Sequence, residues 1–305
     1  MRGFACAVGA SLVLTSVATG AGSAGAHDLR ESSRAVCSGS VAAPGVLAGD
    51  YGNVVVEGVC AVNGGAAVVN GSLTLAPGSA LNATFALNDV AGKGTSSLTV
   101  LGNLKVEDGA VLAMGCEAEH SPCTDDPAAA TGGTLTGDNH VGGNLIAHQA
   151  LAVILHAGRI GGNVEQRGGG GGLNCAVPTS GIFAALGSPV FSDYEDNSVG
   201  GNLKVTGLRT CWYGALRNDV QGNVVSSGNM MADPDGDEVH SNTDAGNLRC
   251  FDNTPAVQYG DAVNGVPNTV TGVAKGECRF GLLLPNPVAD PPAPAGPLTP
   301  ISVMG

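Results

Sequence analysis

"NSVGGNLKVTG" occupies Asn197–Gly207, "NHVGGNLIAHQ" occupies Asn139–Gln149, and "NDVQGNVVSSG" occupies Asn218–Gly228. Each reads Asn, any residue, Val, any residue, Gly, Asn, apolar. A Gly followed by Asn or Ser and then by apolar residues recurs at Gly52, Gly71, Gly102, Gly143, Gly162, Gly201, Gly222 and Gly246. The steps between successive glycines are 19, 31, 41, 19, 39, 21 and 24. Most lie near 20 or near twice 20, the mark of an internal repeat with insertions in some units. "VNGSLTLAPGSALNA" (Val69–Ala83) also matches "VLGNLKVEDGAVLAM" (Val100–Met114) at a constant offset of 31.

The residues beside these glycines alternate apolar with polar. Leu73-Thr74-Leu75, Leu104-Lys105-Val106 and Leu203-Lys204-Val205 have the period of a strand with one buried face. Their leucines and valines are expected to point into a core, and Thr74, Lys105 and Lys204 outward. Strands this short, spaced by 20 residues with no hairpin signal, pair if the chain winds and each turn lies on the last at about 4.8 Å. Gly and Asn then supply the positive φ of the corners. Equivalent Asn side chains stack into a hydrogen-bonded row; Asn139, Asn197, Asn218, Asn242 and Asn268 share one phase. The expected fold is all-β: a right-handed parallel β-helix, or solenoid. A two-sheet sandwich is the rival.

Residues 1–26 read as a secretory signal peptide: Arg2, then a small-residue apolar run ending in Ala24-Gly25-Ala26. Residues 27–280 form the β-helix domain, and residues 281–305, rich in Pro, a disordered tail that cannot join a ladder. The Gly-rich run Gly168–Asn174 and the stretch Ala232–Asn242 read as flexible. The expected location is secreted, extracellular or associated with the cell wall. Removing Arg2 with the leader takes the formal charge from -13 to -14, which argues against nucleic acid and anionic lipid as partners. No stretch after the leader is long enough to span a membrane. The partner class left open is cell-wall or extracellular polysaccharide.

Eight cysteines follow the leader: Cys37, Cys60, Cys116, Cys123, Cys175, Cys211, Cys250 and Cys278. An even count in an oxidising compartment implies four bridges. Cys37 with Cys60 and Cys250 with Cys278 are 23 and 28 residues apart, each about one turn of the winding. They are expected to staple the two ends. Cys116 with Cys123 closes a short excursion, and Cys175 with Cys211 spans the Gly-rich run.

The paired cysteines, the V-x-G-N-[LV] repeats, "CWYGALRNDVQGN" (Cys211–Asn223) and "GNLRCFDNTPAVQYGD" before Cys278 resemble a group of exported actinobacterial proteins over about residues 35–280. The repeat is more distantly similar to that of bactofilins. That resemblance implies a right-handed β-helix and little about function. The cysteines depart from the bactofilin pattern, so cytosolic filament formation is not implied.

Catalytic pairs are hard to find. Glycoside hydrolysis needs two carboxylates about 5–9.5 Å apart. The acid pairs Asp125-Asp126 and Glu195-Asp196 both read as loop residues, and Lys plus Arg, 13 in all, are scattered singly. His140, His148, His156 and His240 lack ligand spacing and read as surface or ladder residues. "DPDGDE" (Asp233–Glu238) places Asp233, Asp235 and Asp237 at a spacing that could ligate Ca²⁺, but a solvated acidic turn fits better. Trp212, the single Trp, reads as a packing residue beside a disulfide. The expectation is a protein with no catalytic residues, no cofactor and a structural or adhesive role. A polysaccharide lyase or glycoside hydrolase is the alternative.

Overall fold

A computed structural model describes residues 34–84, 96–115, 139–260 and 265–280. Residues 1–26, read above as a signal peptide, and Cys116, Cys123, Asp125-Asp126 and the Pro-rich residues 281–305 lie outside the described residues. Within them the chain is all-β and parallel, with one short α-helix at Gly181–Leu186. One sheet has ten strands and another fifteen. The larger is two ladders sharing one long strand, Val59–Val69, whose first part pairs with Ala80–Ala83 and whose last part pairs with Leu98–Val100.

The chain therefore visits three ladders in turn. It leaves the ten-stranded first ladder at Val164–Arg167 and passes through Phe191–Glu195 in the second and Ser198–Val199 in the third. It then returns to the first at Leu203–Thr206, which pairs in register with the strand it left. Rungs adjacent in space can be 19 residues apart, as Leu145 and Val164, or 41, as Leu104 and Leu145. Insertions leave at the corners, and the ladders keep their register.

The period-2 phase is as the alternation requires. Leu73, Leu75, Leu104, Val106, Leu203 and Val205 are buried, and Thr74, Lys105 and Lys204 are not. On the second ladder the inward column runs Leu81, Leu112, Val153, Ser192, Tyr213, Asp237. On the third it runs Val100, Val141, Ile160, Val199, Val220, Asp244. The aliphatic interior of the early rungs thus gives way to polar groups in the later ones. There Tyr194 donates to Gln166 Oε1 at 2.7 Å, and Gln166 donates to Ser192 Oγ at 3.2 Å.

Three rows of side chains run along the corners. In the first, the backbone and side-chain amides of Asn144 donate to Oδ1 of Asn103 at 2.8 and 3.2 Å, and Asn163, Asn202, Asn223 and Asn247 each repeat this on the Asn before it. The second row, Asn197, Asn218, Asn242 and Asn268, is buried more deeply and runs the other way, each Asn donating to the next. Its side chains also donate to the carbonyls of Leu155, Tyr194, Ala215 and Val239. A third row, invisible to the repeat, passes from Leu208 through Asn229 and Asn253 to the carboxylate of Glu277.

The repeated glycines serve a purpose other than the expected positive φ. Gly162 is not left-handed; a Cβ there would fall 2.5 Å from Asn144 Oδ1 and 2.8 Å from the carbonyl of Gly143. Stacked corners approach too closely for any side chain. The left-handed positions lie elsewhere, at Asp196, Arg217 and Ser241, each just before an Asn of the second row.

Two other expectations are corrected. The Gly-rich run is packed rather than flexible: Gly168, Gly170 and Gly172 donate to Thr206, Ala150 and Arg209, and a Cβ at Gly169 or Gly170 would fall 1.9 or 2.0 Å from the carbonyl oxygen of Ala150 or Arg209. Ala232–Asn242 contains the strand Asp237–His240, all four residues buried. Its inward position is an Asp, which erased the apolar alternation a strand normally shows.

Cys37 is bonded to Cys60, Cys175 to Cys211 and Cys250 to Cys278, with Cα separations of 6.4, 4.7 and 5.4 Å. The first bond ties the edge strand Arg34–Cys37 to Val59–Val69, and the last follows the opposite edge strand, Ala274–Gly276. Both bonds sit where the first ladder would otherwise fray. Each can add roughly 2–4 kcal/mol by restricting the unfolded chain.

Candidate functional site

Chemistry gathers on the outer face of the second ladder, in the strands Ala152–His156, Phe191–Glu195, Trp212–Leu216 and Asp237–His240. Parallel register brings Ile154, Asp193, Gly214 and Glu238 into one outward column and His156, Glu195, Leu216 and His240 into the next. Outward residues of an open parallel ladder are normally wet. Here His156, Asp193, Glu195, Glu238 and His240 are all at most 8% exposed.

The cluster is closely wired. His156 Nε2 lies 2.9 Å from Asp193 Oδ2. Arg217 donates to both oxygens of Asp196 at 2.9 Å and also to Glu195 Oε2. Trp212 donates through Nε1 to Glu238 Oε1 at 2.8 Å, and its ring meets Phe191 edge-on at 5.8 Å, with Phe191 in turn against Phe183 of the helix. Helix Gly181–Leu186 thereby seals the outer face beside the cluster with a small apolar layer of Ala152, Ile154 and Phe183.

Electrostatics follows from burial. Loss of water pushes the Asp193 carboxyl well above the usual range, and Glu195 and Glu238 push it further, against the pull of Arg217. Burial, helped by Arg217, lowers His240 to about 4, against Glu195. In the interior, burial raises Asp244 to about 7 and carries Asp237 well up as well, with Glu277 and Glu238 adding to the effect on Asp237. No hydrogen-bond partner reaches either carboxylate oxygen of Asp237 or Asp244.

Of the residues singled out in the sequence, Glu195 and His156 need re-reading. Glu195 ends a buried strand rather than lying in a loop, and only Asp196 occupies the corner. His156 and His240 are buried in the cluster, whereas His148 is exposed. Asp233 begins a turn closed by Gly236 N on its carbonyl. Asp237 is the first residue of the next strand, in register with Tyr213 in the core. The run is thus split, with Asp233 half-buried in the turn, Asp235 buried behind it and Asp237 in the interior. Trp212 packs, as read, and also donates a hydrogen bond.

The repeat itself contained the missing signal. The step of 39 between Gly162 and Gly201 carries His156 onto Glu195. The next steps, 21 and 24, carry that position to Leu216 and His240.

Comparison with protein-family models, with curated proteins and with solved structures returns no match for this chain.

Proposed function

We propose that the chain is an exported, non-catalytic scaffold of the cell envelope or extracellular space, structural or adhesive in role, whose three ladders wind as a right-handed parallel β-helix. Right-handed winding is the strong preference of parallel strands joined by crossovers in one sheet. The observation that carries the functional reading is closure of the polar cluster. A site that cuts polysaccharide must open its carboxylates to a chain, and Asp193 and Glu195 are 4% and 8% exposed. Three disulfides among the described residues fit an oxidising compartment. No helix among those residues is long and apolar enough to cross a membrane. The resemblance to exported actinobacterial proteins supports the same reading, and polysaccharide is the partner class proposed.

A hydrolase is the second reading, favoured by one observation. Asp193 and Glu238 stand two rungs apart with Gly214 between them. Two rungs of about 4.8 Å place their backbones near the upper end of the carboxylate separation that inverting glycosidases use. Incubation of the exported protein with a panel of neutral and acidic polysaccharides decides between the readings. The scaffold predicts retention on some insoluble polymers and no new reducing ends or unsaturated products. Product release that disappears in Asp193→Asn establishes the hydrolase or lyase instead.

A further inference from the structure

We propose that His156, Asp193 and Glu195 form a binding site for a divalent transition-metal ion of the zinc class, which clasps two successive rungs of the second ladder. One ligand atom from each residue can be chosen so that all three lie within 4.8 Å of one another. Donors around a four-coordinate zinc ion, at about 2.0–2.2 Å from the metal, are spaced on that scale. The His156–Asp193 contact of 2.9 Å is already close to one such edge. All three residues are at most 8% exposed.

The scaffold fixes the donors. His156 and Glu195 are direct partners across two strands, and Asp193 precedes Glu195 by two residues, on the same face. Each strand is held on both sides, since His156 also pairs with Gly115 and Glu195 with Leu216. Arg217 grips Glu195 through Oε2 and so orients the carboxylate, the usual service of a residue behind a ligand.

A second, independent observation lies beside the site. Asp193 Oδ1 is fully buried and has no hydrogen-bond partner. It faces Gly214, where a Cβ would stand only 2.6 Å away, so the absence of a side chain keeps this space clear. Buried carboxylate oxygens are ordinarily matched by a donor or a cation. One imidazole with carboxylates suits zinc, manganese or ferrous iron better than calcium or magnesium, which prefer oxygen alone. The site stands on this cluster and does not depend on the scaffold reading of function.

The test uses the full exported, disulfide-bonded chain after dialysis against a chelator. Calorimetric titration with zinc chloride is expected to show one site. Affinity should fall by about tenfold or more in His156→Gln and in Glu195→Gln, each checked for fold by circular dichroism. Asp233→Asn, in the surface turn, should leave it unchanged. Cobalt(II) in place of zinc should give a visible ligand-field band and one hyperfine-shifted imidazole resonance. No binding at millimolar zinc, an affinity indifferent to both ligand substitutions, or loss of binding in Asp233→Asn would overturn the assignment. So would a cobalt complex without the shifted imidazole, an outcome readable on the unmodified chain if the variants do not fold.

Discussion

The early and the late rungs share one backbone plan and differ in what they enclose. Between Arg34 and Gly115 the interior is aliphatic, with Leu73, Leu75, Leu81, Leu98, Leu104, Leu112 and Met114 all at most 1% exposed. Between Phe191 and Phe280 the same columns hold Ser192, Tyr194, Tyr213, Ser226, Asp237 and Asp244, again all at most 1% exposed. The first corner row, with Ser72 in place of one Asn, and the parallel register continue through both regions regardless. Corner hydrogen bonds and close backbone stacking therefore set the winding, and the interior is free to vary in chemistry. The early rungs draw their stability from apolar burial alone, and the late rungs add interior carboxyl groups, Asp237 and Asp244, whose burial favours the neutral form.

The largest test truncates one column in both regions. Leu112→Ala should cost on the order of 2–5 kcal/mol, the usual range for a buried Leu. Ser192→Ala, in the same column, removes the acceptor of Val153 N and should cost about 1–3 kcal/mol. Equal losses in chemical denaturation would erase the distinction between the regions.

The next test concerns pH. The Asp244 carboxyl is raised from 3.8 to about 7 in the folded chain. Between those values the unfolded chain gives up its proton and the folded chain keeps it. Stability therefore falls as pH rises through this window, by at most about 1.4 kcal/mol per unit from this group, and levels off above it. Asp244 sits between Val220 and Val270 in its ladder, so Val fits the column. Asp244→Val should raise the melting temperature at pH near 8 and leave it nearly unchanged near pH 4. Scans at both values measure this, and an equal gain at both would remove ionisation as the cause.

The smallest effect separates the corner rows. Asn197→Ala removes a buried side chain that bonds to Asn218 and to the carbonyl of Leu155 and should cost about 1–3 kcal/mol. Asn163→Ala, in the exposed part of the first row, should cost about 0.5–1 kcal/mol. Thermal unfolding of the two variants ranks the rows, and a reversed order would place the main support on the outer row.

Much of the architecture was legible because it repeats. The Leu-x-Leu alternation set the phase of the first ladder, the common spacing of Asn197, Asn218 and Asn242 marked a row, and cysteine spacing pointed to the three bonds described. The failures share a cause: side chains that meet only through winding. Gly162 looked like a turn glycine because a sequence shows a residue's own torsion preferences, not the carbonyl stacked above it. Asp237–His240 hid its strand behind acidic residues. His156 and Asp193, 37 residues apart, carry no local motif, and the register that joins them passes through an excursion of variable length.

The third corner row has a further consequence. Its N–H groups, from Leu208 through Asn229 to Asn253, all point toward the later rungs. Aligned amide dipoles add along such a row, as they do along a helix, and leave a partial positive charge at the end where the donors emerge. Glu277 stands at that end, its two oxygens taking both amides of Asn253 at 3.0 and 2.8 Å. The row is closed by a full negative charge as an acidic residue closes the start of a helix, so this carboxylate acts as an electrostatic cap on a β structure.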